Sequence, residues 1–97
     1  MNLTIESNTF ALTAHLEVLK AIAHPLRLQI MEFIHTNEAV NVNKIYNTLH
    51  LEQSITSQHL KIMRNAGVLL SHKKERFVYY TINYTLLRTV GLTLQAF

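Results

Sequence analysis

Ser54, Ser57, Gln58, Lys61 and Arg64 recur at short intervals along LEQSITSQHLKIMRNAGV, residues 51–68. At the helical period these residues fall on one side, while Thr56, Leu60 and Met63 fall on the other. The polar set holds two hydroxyls, an amide and two cations, with no general base or activated nucleophile among them. Such groups hydrogen-bond base edges in a DNA groove and neutralise phosphates. An ordinary solvated helix face uses similar residue types, so the assignment depends on the surrounding chain.

Charge is concentrated where phosphate contact would use it. Over residues 53–81 five cations, Lys61, Arg64, Lys73, Lys74 and Arg76, stand against Glu75 alone, a local charge of +4. Residues 1–52 carry three cations and five anions, a net −2, and Arg88 brings the chain to +3. A basic half beside an acidic half is the footprint of a polyanion-binding surface.

A reading face needs a helix with a defined start and stop. Ser54 is a candidate N-cap following Glu52 and Gln53. Gly67 ends the helix, because it takes positive φ without a Cβ penalty. Val42, Ile45 and Leu49 mark a shorter helix over residues 43–50. Downstream, residues 68–73 and 76–81 read as two strands around a Lys74-Glu75 turn, although the Asn-Gly signature is missing. Val78, Tyr80 and Ile82 alternate with Phe77, Tyr79 and Thr81, the two-residue period of a sheet with one packed face. Helix, short turn, helix and hairpin is the order of a winged helix-turn-helix.

The remaining chain supplies the scaffold. Residues 1–7 read as a loose lead-in. Asn8 or Thr9 caps a first helix ending near Ala23, with Phe10, Leu16, Leu19 and Ile22 as one stripe and Leu12 and Val18 beside it. His24-Pro25 stops that helix, and Pro25 fits the first turn of a second one. The second carries Leu26, Ile30, Phe33 and Ile34, with Leu28 and Met31 adding apolar coverage. Thr36-Asn37-Glu38 reads as a loop and residues 39–42 as a short apolar approach to the third helix. Asn83 caps a last helix over residues 84–97, with Leu87, Val90, Leu94 and Phe97 on one face and Leu86 and Leu92 beside them. Arg88 is its only charge, so this helix is expected to pair with a second copy of the chain, against the first helix. Phe10, Leu16, Leu19, Leu87, Val90, Leu94 and Phe97 are the expected dimer-interface residues. The expected fold is mainly α with a small β-hairpin wing: four helices, two strands and a last helix.

Ninety-seven residues are expected to form a single domain, residues 1–97, which buries roughly 60–65% of its unfolded surface. A hydrophobic content of 48% with two Gly and one Pro leaves apolar surplus that association would absorb. There is no apolar run long enough for a membrane span. The stretch MNLTIESNTF has neither the basic region nor the apolar core of a secretory signal. Zero cysteines exclude disulfides, thiolate switching and thiolate metal sites. The expected compartment is the cytoplasm.

The chain resembles the ArsR/SmtB-type bacterial repressors over residues 19–87. LKAIAHPLRLQI, residues 19–30, is similar to that family's LKALADPTRLRIL stretch. Ser57-Gln58-His59-Leu60-Lys61, followed by Arg64-Asn65-Ala66-Gly67-Val68, is similar to its SxHLKxLRxAGLV recognition-helix signature. Arg76-Phe77-Val78-Tyr79-Tyr80 is similar to the GRxVYY strand of its wing. Three segments in the right order make a far stronger match than any one of them. The resemblance implies a homodimer built from the first and last helices, bound to an operator palindrome and repressing until a ligand loosens it.

The departures concern the signal. Family members that sense metal at the third helix carry cysteines in an ELCVCDL segment, where this chain has Glu38-Ala39-Val40-Asn41-Val42-Asn43-Lys44-Ile45. The family's last-helix metal positions correspond to Tyr84, Leu86 and Phe97, and no carboxylate or imidazole follows Phe77. Neither metal site is therefore expected. Ile55-Thr56 stands where a small polar residue followed by valine is usual, which alters either what the helix start reads or how it packs. His15, His24, His35, His50, His59 and His72 show no zinc-site spacing beside a carboxylate. His59 is expected to make a structural hydrogen bond, and His72 to face solvent or phosphate.

An enzyme is disfavoured: paired carboxylates are absent, and Gly67 and Gly91 are the only glycines, too few for a phosphate loop. The competing readings are a winged-helix dimer serving as a protein-interaction adaptor, and a regulator controlled by an organic ligand or a partner protein. In the favoured reading Ser54, Ser57 and Gln58 approach base edges while Lys61, Arg64, Lys73, Lys74 and Arg76 hold phosphates. Two such helices about 34 Å apart require an inverted repeat. No cofactor is implied, the expected partners are double-stranded DNA and a second copy of the chain, and no residue pattern designates an effector.

Overall fold

The structure, a computed structural model, describes Phe10 and residues 12–96. The expected caps Asn8 and Thr9, the lead-in over residues 1–7 and the interface residue Phe97 lie outside the described residues. The elements are α1 (Leu16–Ile22), α2 (Pro25–Asn37), β1 (Val40–Asn41), α3 (Val42–Leu49), α4 (Gln53–Asn65), β2 (Leu69–Lys74), β3 (Phe77–Ile82) and α5 (Tyr84–Gln95). No helix among the described residues is long and apolar enough to cross a membrane.

The first helix is not continuous. Residues 12–14 are helical, but His15 forms a turn in which its N–H reaches back three residues to the Leu12 carbonyl, the tighter bonding that ends a regular α-helix. α1 then buries Val18 and Ala21, so Val18, expected beside the stripe, faces the core while Leu16 is exposed. The chain leaves α1 through His24, whose Nδ1 accepts from the Leu26 N–H at 3.1 Å, with Pro25 in the first turn as expected. α2 buries Ile30 and Ile34. Leu28 is exposed rather than part of the apolar cover, because it lies a half-turn away from that pair. The helix also runs through Thr36 and Asn37, leaving only Glu38 of the expected loop to turn the chain at φ +68°.

Residues 39–42 contain an unexpected strand. β1 pairs antiparallel with β3 through Val40–Tyr80 and Asn41–Tyr79, so the expected two-stranded wing becomes a three-stranded sheet in the order β1-β3-β2. Asn41 then caps α3, its Oδ1 accepting from the Lys44 N–H at 2.9 Å, which starts that helix one residue earlier than expected. His50 supplies the left-handed residue between α3 and α4, at φ +56° and ψ +46°.

Gly67 stops α4 as expected. Its φ is +86°, its N–H bonds the Arg64 carbonyl, and the Val68 N–H returns to Met63, a Schellman closure. A Cβ there would also stand 3.1 Å from Leu86 Cδ2. The wing's strands begin and end one residue later than expected, and Lys74 pairs with Phe77. The turn is therefore Glu75-Arg76 instead of Lys74-Glu75, with positive φ at Glu75, the first position of the hairpin loop. Ile82 is buried and Tyr80 packs on the core, but Val78 at the far end of that row is exposed.

The core lies where α2, α3, α4 and the sheet meet. Ile30, Ile34, Val40, Ile45, Leu60, Met63, Val68 and Leu69 close it. Asn83 fastens the last helix to this body: its Oδ1 accepts from Leu86 N–H at 3.2 Å and its Nδ2 donates to the Gly67 carbonyl at 2.9 Å. The Tyr84 hydroxyl, 2.6 Å from His35 Nδ1, ties the start of α5 to α2.

Candidate nucleic-acid interface

α4 takes its start from Glu52 rather than Ser54. Glu52 has extended backbone angles and makes no side-chain cap; its carbonyl accepts from both the Thr56 N–H and Thr56 Oγ1. Ser54 Oγ donates to Glu52 Oε1 at 3.0 Å. The acidic residue therefore occupies the helix N-terminus, where the macrodipole favours negative charge. Thr56 is fully buried, with its hydroxyl satisfied on the carbonyl four residues back, an arrangement open to threonine in a helix. The Ile55-Thr56 departure thus keeps the inner face packed and puts Ile55 outside, 41% exposed.

Ser54, Ser57, Gln58, Lys61 and Arg64 are all exposed on α4. Asn65, also exposed, extends the row 54–58–61 and is not among the residues expected above, although its four-residue interval from Lys61 is visible in the sequence. Lys73, Lys74 and Arg76 lie apart from this row, in the hairpin, and are likewise exposed. None of these five cations forms a salt bridge among the described residues. The Arg76 guanidinium carbon stands 5.3 Å from the centroid of the Phe77 ring, a cation–π contact. His72, exposed as expected, stacks on Tyr79 with centroids 5.8 Å apart. β2 packs against α4, so the wing extends from the body that carries this exposed row.

The helix is also held from behind. Arg27 Nε donates to His59 Nδ1 at 3.2 Å, and Arg27 Nη1 donates to the Ala21 carbonyl at 3.1 Å. One half-buried guanidinium thus joins the end of α1, the start of α2 and the middle of α4. The His24 ring adds a contact to His59, with centroids 4.9 Å apart. Burial, followed by the neighbouring His24 and Arg27 charges, holds the His59 imidazole below its ordinary value of 6.5. A base whose folded-state value lies below its unfolded one contributes stability above the unfolded value and loses it as pH falls below 6.5. The unfolding midpoint is expected to fall between pH 7 and pH 5. His59→Gln should flatten that loss in paired thermal melts across the same interval.

The expected dimer residues divide by environment. Phe10 is 78% exposed, Leu16 and Leu94 are exposed, and Leu19 and Leu87 pack partly on the core. Val90 is buried within its own chain, whereas Leu92, expected only beside the interface stripe, is 60% exposed. No three His, Asp or Glu side chains converge on a common point among the described residues.

Comparison with known proteins agrees with this geometry. Residues 24–71 match the bacterial regulatory protein, arsR family. The chain is 43% identical over 67 residues to the transcriptional repressor PagR of Bacillus anthracis, covering 69% of this chain and 67% of PagR. It is 38% identical to the transcriptional activator HlyU of Vibrio cholerae, covering 70% of this chain and 62% of HlyU. The crystal structure of PagR superposes with a TM-score of 0.74 at 36% identity, over 90% of this chain and 97% of that one. HlyU from Vibrio vulnificus superposes at 0.72 and 33% identity, over 100% of this chain and 99% of its own.

Proposed function

We propose that this chain, which belongs to the arsR family of bacterial regulatory proteins and is a DNA-binding regulator of transcription, acts as a homodimeric repressor on an inverted-repeat operator. The observation that carries the DNA contact is the exposed row of Ser54, Gln58, Lys61 and Asn65 on a helix whose opposite face is closed by Thr56, Leu60 and Met63. Ser54, Ser57 and Gln58 approach base edges, Ser54 exchanging its bond to Glu52 for one to DNA. Lys61, Arg64, Lys73, Lys74 and Arg76 hold phosphates. Repression follows PagR, a named repressor; a reporter driven by the chain's own operator should rise when the gene is removed, whereas activation would lower it.

Exposed apolar side chains support the dimer. Phe10, Leu16, Leu92 and Leu94 are too many to leave in water beside an α5 with one charge. The radius of gyration, 15.3 Å, also exceeds the roughly 12.5 Å of a compact chain this long, as when helices project toward a partner. Light scattering should return twice the 11.2 kDa chain mass, and Leu92→Glu should shift the population toward monomer. Residues 1–97 would then act as one DNA-binding and dimerisation unit. Val40 and Val42 stand in place of the third-helix thiolates, and Tyr84 is engaged with His35; regulation by metal at those two family sites is not part of this proposal.

Lys74→Ala should weaken binding to every DNA sequence alike. It should reduce the slope of log affinity against log salt by about 0.9 for each phosphate that the lysine neutralises, read by fluorescence anisotropy over a salt series.

A further inference from the structure

We infer that Ile55 is a specificity-determining residue that recognises the C5 methyl group of a thymine in each operator half-site, next to an adenine read by Gln58. The inference rests on the DNA-binding reading above and names which bases that reading selects.

A lone isoleucine on an arbitrary surface needs no explanation. This one lies in the first turn of the reading helix, directly after Ser54 and three residues before Gln58, so its side chain neighbours the Gln58 amide on the outer surface. It is 41% exposed and takes no part in the core, whereas Thr56 beside it is fully buried. A β-branched residue gains no helix propensity at such a position. The helix would be served equally well there by a polar side chain.

The adjoining groups narrow what the first turn can read. The Ser54 hydroxyl is engaged by the Glu52 carboxylate, and that carboxylate disfavours close approach to phosphate. Ser57, exposed on the same turn, and Ser54 once released from Glu52 offer hydroxyls that either donate or accept and so discriminate little, which leaves Gln58 and Ile55 as the outward groups whose chemistry singles out a base. A glutamine amide matches the N6 and N7 atoms of adenine, and an aliphatic side chain matches the thymine methyl, the only apolar group that the bases present in the major groove. An amide and an aliphatic group on adjacent turns therefore read an A·T pair with a thymine at the neighbouring step. Ile62, further along the helix and also exposed, differs because it borders a groove with Ala21 and Arg27 of the same chain.

The test uses the full chain and duplexes enriched from a random library. Each thymine of the enriched half-site is replaced by deoxyuridine, which removes the methyl and keeps the base pair. One replacement is expected to weaken wild-type binding about fourfold per half-site, the worth of one buried methyl-sized group. Ile55→Ala should bind thymine and deoxyuridine sites equally, while Ile55→Val should keep part of the difference. Circular dichroism melts establish that both variants are folded. If a sequence is enriched but no thymine replacement matters, or if Ile55→Ala keeps the wild-type ratio, the role of Ile55 is overturned and the DNA reading stands. If the folded protein enriches no sequence at all, both are overturned.

Discussion

Gln58→Ala should abolish discrimination at one base pair in each half-site while leaving binding to unrelated DNA unchanged. A well-placed amide contact is worth about 1–3 kcal/mol. A dimer makes it twice, so preference for the operator over its double base-pair variant should drop by roughly 30-fold to 10^4-fold. Gln58 is exposed and outside the core, so the folded state should lose less than about 0.5 kcal/mol. Anisotropy with matched and mismatched duplexes separates the two effects. A Gln58→Ala protein that bound all sequences more weakly, as Lys74→Ala should, would move Gln58 from base reading to phosphate contact.

Leu60→Ala should be the most damaging single change on the opposite face of the same helix. Leu60 is fully buried on the inner face of α4, and cutting its isobutyl group back to a methyl leaves a cavity that the surrounding core side chains cannot fill without shifting. The cost of such a truncation is about 2–5 kcal/mol, against a total of about 5–15 kcal/mol for a small domain. The melting temperature should fall by roughly 8–40 °C, at about 4–8 °C per kcal/mol for a domain this size. Melts need equal protein concentration, because the proposed dimer would add to apparent stability. Ile62→Ala, two residues further and exposed, should cost under about 1 kcal/mol.

Much of the interface could be read directly from residue spacing. The inner row Thr56, Leu60 and Met63 is fully buried, because the helical period leaves little freedom once the apolar positions are given. Pro25 and Gly67 marked helix boundaries through backbone constraints that act locally and do not depend on the rest of the fold. Asn83 capped α5 for the same reason, the capping bond reaching only three residues on to Leu86, whereas its second bond, to the Gly67 carbonyl, is long-range and was not legible.

What escaped the sequence was non-local or energetically shallow. β1 is two residues long and exists only through its pairing with Tyr79 and Tyr80, some forty positions away; two residues cannot display a period. The hairpin turn slipped by one residue because neither Lys74, Glu75 nor Arg76 has the intrinsic preference for positive φ that Asn or Gly would supply. Ser54 yielded the helix start to Glu52 although serine is the better cap in isolation, its hydroxyl bonding to the carboxylate instead. The Arg27–His59 bond joins residues 32 apart. Both belong to the segments that carry the family resemblance, yet spacing alone cannot pair them. His15 interrupts the first helix with no glycine or proline to announce it.

Sequence-selective DNA binding through α4 and the wing, as proposed above, is measured most directly by fluorescence anisotropy of the purified full chain on DNA from upstream of its own gene, with random duplex of equal length as control, at two salt concentrations. Tight, salt-sensitive binding with a clear preference for the upstream fragment is expected. Equal and weak binding to both duplexes by a folded dimer would contradict it, and would turn the search toward a protein partner for the same surface.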